Sequence, residues 1–186
     1  DVMSAIMSGL SGLSFEERLA QKERRLKQAA AAVDEAADSV AARGEWWPLA
    51  GLAPMTRVKT IFGDVHAVAL RTGDEVLTAR GEYKPILWLN RVMLDAQFLT
   101  QKPDSQPVCI RGGALGSNNP EYDIMVSPRQ KVQFRGARWE EAAALVGQPG
   151  IERFRETGLS YTMFHLGSVE DVVVEGALIR TSPPAN

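Results

Sequence analysis

The chain has 186 residues, of which 45% are hydrophobic and 24% are charged, so it can form an ordinary core and wholesale disorder is excluded. Its formal net charge of −2 gives no overall positive field, and we expect no nucleic-acid partner. One cysteine, Cys109, and two histidines, His66 and His165, exclude a disulfide framework and a zinc site with several Cys or His ligands.

The composition leaves the cellular compartment open, because a chain with one cysteine fits the cytoplasm as well as an exported or extracellular assembly. The apolar runs are shorter than the roughly 18–20 residues that cross a bilayer, which predicts no membrane span. Residues 1–13 form a small, apolar N-terminal segment without basic residues, and we do not interpret it as a signal peptide.

Residues 14–44 have the pattern of one long amphipathic α-helix. Ser14 and Glu17 form a capping box, neither Pro nor Gly occurs between residues 14 and 43, and Gly44 stands where a C-cap glycine is expected. About thirty residues of helix would be roughly 45 Å long. The sequence therefore predicts a helix that is long for a chain of this size.

An apolar seam follows this predicted helix at a spacing of seven residues: Leu19, Leu26, Val33 and Val40. Small alanines beside the seam allow another helix to approach closely. We predict that these four residues bind other protein subunits, with helix–helix contact as one form of that binding. The alternative is that the seam packs on the chain's own β-domain.

From residue 49 to residue 182 the sequence has the pattern of a mainly β domain, which is followed by a polar tail at 183–186. Gly and Pro separate short runs rich in Val, Ile, Leu and Thr. The runs predict strands at 56–61, 65–70, 75–78, 86–90, 108–111, 124–126, 131–134 and 172–175, with a short helical stretch at 139–146. We expect six side chains to be buried there: Val76, Ile86, Trp88, Val126, Val132 and Val172.

Four blocks follow one another in this domain: GDEVLT at 73–78, KPILWLNR at 84–91, VCIRGGALG at 108–116 and YDIMVSPRQKV at 122–132. In this order they resemble the Hint (hedgehog/intein) domain, in its bacterial hedgehog/intein-like branch. The resemblance implies a horseshoe-like β-fold with pseudo-two-fold symmetry. It also implies autoproteolysis or protein splicing, in which a Cys at the first position attacks the preceding carbonyl and a block His protonates the leaving amide.

The sequence departs from that pattern at the functional positions. The opening reads GLAPMT at 51–56, so the nucleophile position holds Gly51, and the block histidine is replaced by Gln130. A further family His aligns with Val169. Glycine has no nucleophile, and a Gln amide does not exchange protons near neutral pH. We therefore expect no enzyme activity and no catalytic residue.

Other residues do not replace the missing chemistry. Cys109 lies in an apolar strand and is interpreted as a core residue, and His66 and His165 as structural or surface histidines. Asn186 follows two prolines rather than a His, and the acidic residues have no ligand spacing. The glycines of 112–116 predict a tight turn rather than a phosphate loop.

Two functions follow from this reasoning. The first is a non-catalytic Hint-like structural or docking subunit of a larger assembly, bacterial or phage in kind, anchored through the N-terminal helix. The alternative is a self-processing Hint domain. No cofactor and no metal are expected in either case.

Overall fold

The computed structural model describes residues 14, 16–17, 20–21, 23–24, 27–28 and 48–184. The chain divides into two units, residues 1–46 and residues 47–186. The second unit contains the described strands and is the part of the chain that holds the candidate site.

The described residues of the first unit agree with the predicted start of the helix. The main-chain N–H of Ser14 donates to Glu17 Oε2 at 2.7 Å, and the N–H of Glu17 donates to Ser14 Oγ at 3.3 Å, which is a capping box. Residues 16–17, 20–21, 23–24 and 27–28 are helical and exposed. The rest of the predicted helix, the segment 1–13 and the seam residues Leu19, Leu26, Val33 and Val40 lie outside the described residues, so the single long helix is not established.

The second unit is mainly β. In chain order its strands are β1 (Arg57–Thr60), β2 (Gly63–His66), β3 (Glu75–Leu77), β4 (Tyr83–Pro85), β5 (Trp88–Leu94), β6 (Val108–Ile110), β7 (Ile124–Val126), β8 (Lys131–Phe134), β9 (Arg138–Glu141), β10 (Ile151–Arg153), β11 (Leu159–His165), β12 (Glu170–Val174) and β13 (Ala177–Thr181). Two short α-helices, α1 (Ala96–Gln101) and α2 (Ala142–Leu145), and two 3-10 turns, Ala67–Ala69 and Pro103–Ser105, stand between them.

The strands within residues 48–184 pair antiparallel in three groups. The largest group has the order β4-β3-β1-β12-β13-β8-β9, with β2 also paired to β1. The two smaller groups are β10-β6-β7 and β11-β5. Leu52 forms antiparallel bridges to Val126 of β7 and to Thr162 of β11, so the chain at residue 52 connects the two smaller groups into one surface.

The main core of the second unit gathers side chains from the largest strand group and from the two smaller groups. Five of the six residues predicted to be buried are fully buried: Val76, Ile86, Val126, Val132 and Val172. The prediction for Trp88 is wrong, because 41% of this residue is exposed. Trp88 lies at the end of the β5–β11 pair and stacks on His165, with ring centroids 5.4 Å apart, instead of entering the core.

Several predicted strand bounds need correction. Strands β7 and β8 have the predicted residues, but the predicted strand 65–70 ends at His66 and gives way to a 3-10 turn. Ala67 and Leu70 are both completely buried, and this three-residue spacing suits a 3-10 turn rather than an alternating strand. The stretch 139–146, predicted as helical, divides between β9 and α2.

The predicted glycine turn at 112–116 is confirmed. Gly113 and Gly116 have φ angles of +80° and +93°, a region that residues with a Cβ rarely adopt. Asp123 accepts the N–H of Gly112 at 2.8 Å and closes this turn.

Candidate functional site: a cleft where both ends of the β unit meet

Two of the three family positions discussed above, Gly51 and Gln130, lie along one cleft, which we call the junction cleft. The entering chain (residues 48–52), the loop into β8, strand β11 and the chain that leaves β13 surround it. Its volume is about 380 Å³, and its lining residues include Ala50, Gly51, Leu52, Arg129, Gln130, Lys131, Thr162, Arg180 and Ser182. The fold therefore brings Gly51 and Gln130 to one site, as the sequence blocks predict.

The peptide bond between Ala50 and Gly51, which we call the junction, is held from both sides by Ser127. The Ser127 N–H donates to the Gly51 carbonyl at 2.9 Å, and the Ser127 hydroxyl donates to the Leu49 carbonyl. Leu52 and Thr162 exchange main-chain hydrogen bonds, each 2.9 Å long. The junction is consequently fixed in position by the end of β7 and by β11.

Gly51 lies in a space that fits a glycine closely. A Cβ at this position would lie 3.0 Å from the Thr162 carbonyl oxygen and 3.2 Å from side-chain atoms of Tyr161 and Met163. Distances this short require the neighbours to move, and Thr162 O belongs to the β11 backbone. A residue with a side chain, including a nucleophile, would therefore strain this part of the cleft.

Gln130 is 3% exposed and its side chain makes structural contacts. Its Nε2 donates to the Arg180 carbonyl at 2.9 Å and to the Lys131 carbonyl at 3.1 Å. Both donors of the amide are thus engaged with main-chain acceptors, and the amide has no proton to give to a leaving group. The residue ties the start of β8 to β13.

Val169 is not part of this site, although its alignment with a family histidine predicts a functional position. It is 60% exposed between β11 and β12 and does not line the junction cleft. The nearby His165 stacks on Trp88, and its Nδ1 accepts the Gly167 N–H at 3.1 Å. His66 is exposed and its Nδ1 contacts the Met55 carbonyl at 3.0 Å.

Cys109 is buried on β6, as predicted, and lines a second cleft rather than the junction cleft. This second cleft has a volume of about 440 Å³ and is bounded by residues that include Met55, Met125 and Phe154. Burial raises the pKa of the Cys109 thiol, which keeps the sulfur protonated and weakly nucleophilic.

Three cations border the junction cleft, and within residues 48–184 no carboxylate side chain lines it. Arg180 donates to Asp171 at 2.8 and 3.2 Å and lies 4.0 Å from the centre of the Trp139 ring. Arg129 is 3.6 Å from Glu141. Lys131 makes no ion pair within residues 48–184.

Two features are absent from the described residues. These residues contain no group of three or more His, Cys, Asp or Glu side chains that could hold an ion. In the same part of the chain, no helix has the length and hydropathy of a membrane-spanning segment.

Sequence reasoning missed Thr162 and Arg180 as members of the site. Thr162 lies in β11, which was not predicted because its residues are buried on both faces and show no alternation. Its hydroxyl oxygen is buried and has no hydrogen-bond partner among the described residues. Arg180 lies in β13, whose run ALIRT at 177–181 alternates and could have been recognised as a strand.

The fold and the cleft together define a class of β-domain whose two chain ends converge on a single cleft. A family model described as the Hint domain matches residues 50–185. The chain belongs to the Hint domain family.

Solved structures similar to the chain are inteins and an intein-like domain. The MchDnaB-1 intein is 12% identical with a TM-score of 0.48, and the alignment covers 70% of this chain and 99% of that one. The gp41-1 intein is 14% identical with a TM-score of 0.48, covering 73% and 100%. A bacterial intein-like domain from Clostridium thermocellum is 13% identical with a TM-score of 0.45, covering 73% and 99%. No curated protein sequence matches the chain.

Proposed function

We propose that this Hint domain does not process itself and serves as a structural or docking subunit of a larger protein assembly. The observation that carries the proposal is the pair Gly51 and Gln130 in one cleft. Self-processing needs a nucleophile after the junction and a proton donor beside it. At these two places the chain has a residue without a side chain and an amide whose donors are engaged.

The surroundings of Gly51 support the same proposal. The space at Gly51 leaves no room for a Cβ without a shift of Thr162, so the loss of the nucleophile is accompanied by close packing. The chain's one thiol, on Cys109, is buried in the second cleft and has a raised pKa. Neither feature favours a thioester at the junction.

One observation favours the alternative, a self-processing domain. Ser127 still holds the carbonyl groups on both sides of Ala50, which keeps the junction in a defined position. A fixed junction is what nucleophilic attack on its carbonyl would require. The alternative would then need a nucleophile from outside the chain, such as an added thiol.

Intact-mass spectrometry of the purified full chain distinguishes these functions. The chain is incubated at neutral pH with and without dithiothreitol, next to a Cys109→Ala variant as the matched control. We expect one unchanged mass for each protein in both buffers. A thiol-dependent break between Ala50 and Gly51 would contradict the proposal, as would a cleavage that Cys109→Ala abolishes.

The docking part of the proposal assigns partner contact to the seam Leu19, Leu26, Val33 and Val40. A capped amphipathic helix gains most of its order from packing of its apolar stripe, because propensity alone gives marginal stability. Burial of a Leu or Val contributes about 1.5–3 kcal/mol before the costs of association. Four such residues are enough to hold a subunit in an assembly.

A further inference from the structure

The wall of the junction cleft combines apolar side chains with positive charge. Leu49, Leu52, Met163, Phe164 and Ile179 line it, and Trp88 stands at its border with 41% of its surface exposed. Its volume of about 380 Å³ is within the range of ligand pockets, roughly 300–1,000 Å³. Aromatic and arginine residues are also enriched where proteins bind one another.

The charges of the cleft leave one cation available. Asp171 neutralises Arg180, and Glu141 lies 3.6 Å from Arg129. Glu141 is also the cross-strand neighbour of Lys131, but its carboxylate contacts Arg129. Lys131 is thus the lining cation that has no carboxylate partner within residues 48–184.

The apolar walls of the cleft and its one lysine that is unpaired within residues 48–184 match the chemistry of an acidic peptide segment. One spare positive charge suits a single carboxylate, whereas a nucleic-acid backbone would require several cations. The apolar walls would contact little of a free inorganic anion, but they can cover the apolar side chains of a peptide.

We propose that the junction cleft binds an extended segment of a partner protein whose Asp or Glu side chain pairs with Lys131. The inference rests on the proposed function, because a cleft engaged in self-processing would not be free for such a segment. It adds a second docking surface, separate in sequence from the N-terminal seam.

Selection from a display library tests this inference directly. The full chain is presented with random peptides held between constant flanking sequences, and the bound peptides are sequenced. We expect Asp and Glu to be enriched at one position among apolar neighbours. The best peptide and its counterpart with the amide in place of the acid are then compared by fluorescence anisotropy, with the acid expected to bind about fivefold more tightly.

Matched variants locate the binding site. Lys131→Glu is expected to weaken binding of the acidic peptide by about fivefold or more, and Lys131→Gln by a smaller factor. Lys59→Glu, which changes an exposed lysine of β1 outside the cleft, should leave the affinity unchanged. Thermal unfolding of each variant shows whether it is folded, and Lys131→Gln serves as the test if Lys131→Glu is not.

The inference is overturned if no acidic residue is enriched, if the amide peptide binds equally well, or if Lys59→Glu weakens binding as much as Lys131→Glu. Intact masses are recorded on the same samples. Cleavage before Gly51 would contradict the proposed function, whereas failed binding by an intact chain would contradict this inference alone.

Discussion

The side-chain amide of Gln130 donates to the main-chain carbonyl of Arg180 at 2.9 Å, and this hydrogen bond joins the start of β8 to β13. Gln130 therefore acts as a structural link between these two parts of the β unit. Because the residue is 3% exposed, water cannot readily replace the contact.

Replacement of Gln130 by Ala should lower the stability of the β unit. The change removes two hydrogen bonds and leaves the Arg180 carbonyl without its donor, a loss of about 1–3 kcal/mol. Chemical denaturation of the variant measures it. Gln148→Ala changes an exposed glutamine and should alter the free energy of unfolding little; equal effects at the two positions would contradict the structural role of Gln130.

Replacement of Gly51 by Ala should also destabilise the protein. The new methyl group would lie 3.0 Å from the Thr162 carbonyl, and such overpacking costs about 1–3 kcal/mol. The lower entropy of the unfolded chain offsets about 0.4–1 kcal/mol of that loss. Thermal and denaturant unfolding give the net change.

Gly158→Ala is the matched control for Gly51→Ala, since its added Cβ would meet the nearest atom, Leu94 O, at an ordinary 3.8 Å. We expect no loss of stability there.

Because a Cβ at residue 51 would lie 3.0 Å from the Thr162 carbonyl oxygen, Gly51→Cys combined with Gln130→His should not restore cleavage. An intact-mass shift in that double variant would show that the cleft can still accept the nucleophile.

The pair Lys84 and Glu170 should make stability depend on pH in the acid range. Lys84 Nζ donates to Glu170 Oε1 at 2.6 Å, and this hydrogen bond lowers the pKa of Glu170 below its ordinary value of 4.5. A carboxyl with a lowered folded-state pKa contributes its stability in full above 4.5 and loses it as the pH falls through the folded value.

Unfolding curves from neutral to acid pH therefore should show a smaller pH dependence for Glu170→Gln than for the unaltered chain. Glu82→Gln is the control, because Glu82 is 61% exposed and lies 4.0 Å from the same lysine. Identical pH profiles for Glu170→Gln and the unaltered protein would rule out this contribution.

The proposed seam, Leu19, Leu26, Val33 and Val40, is tested with a double substitution. Leu26→Asp with Val33→Asp should release the full chain from its assembly while the β unit keeps its unfolding temperature, because charge on the seam removes its apolar contact. Quantitative mass spectrometry of co-purified proteins measures the release. Gln21→Asp with Gln28→Asp, on exposed helical residues at the same spacing, should release nothing.

Retention of every partner by the seam variant would contradict partner docking. Loss of the β unit's folding in the same variant would favour the other interpretation, in which the seam packs on the chain's own β-domain.

The sequence blocks indicated which residues line the cleft, whereas the burial and exposure of the residues around it depend on tertiary packing. Gly51 and Gln130 line one cleft, in keeping with sequence blocks that also predict the bounds of β7 and β8. The burial predicted for Trp88 was wrong, since hydrophobicity does not show which residues lie at the exposed end of a strand pair. Alternation also fails for β11, because its residues are buried on both faces of the strand.

The position of Leu52 between β7 and β11 has a mechanical consequence. Residues 49–53 are hydrogen-bonded to Ser127 and Met125 on one side and to Thr162 on the other. A pulling force applied to the chain before Pro48 would act on these hydrogen bonds before it reached the rest of the β unit.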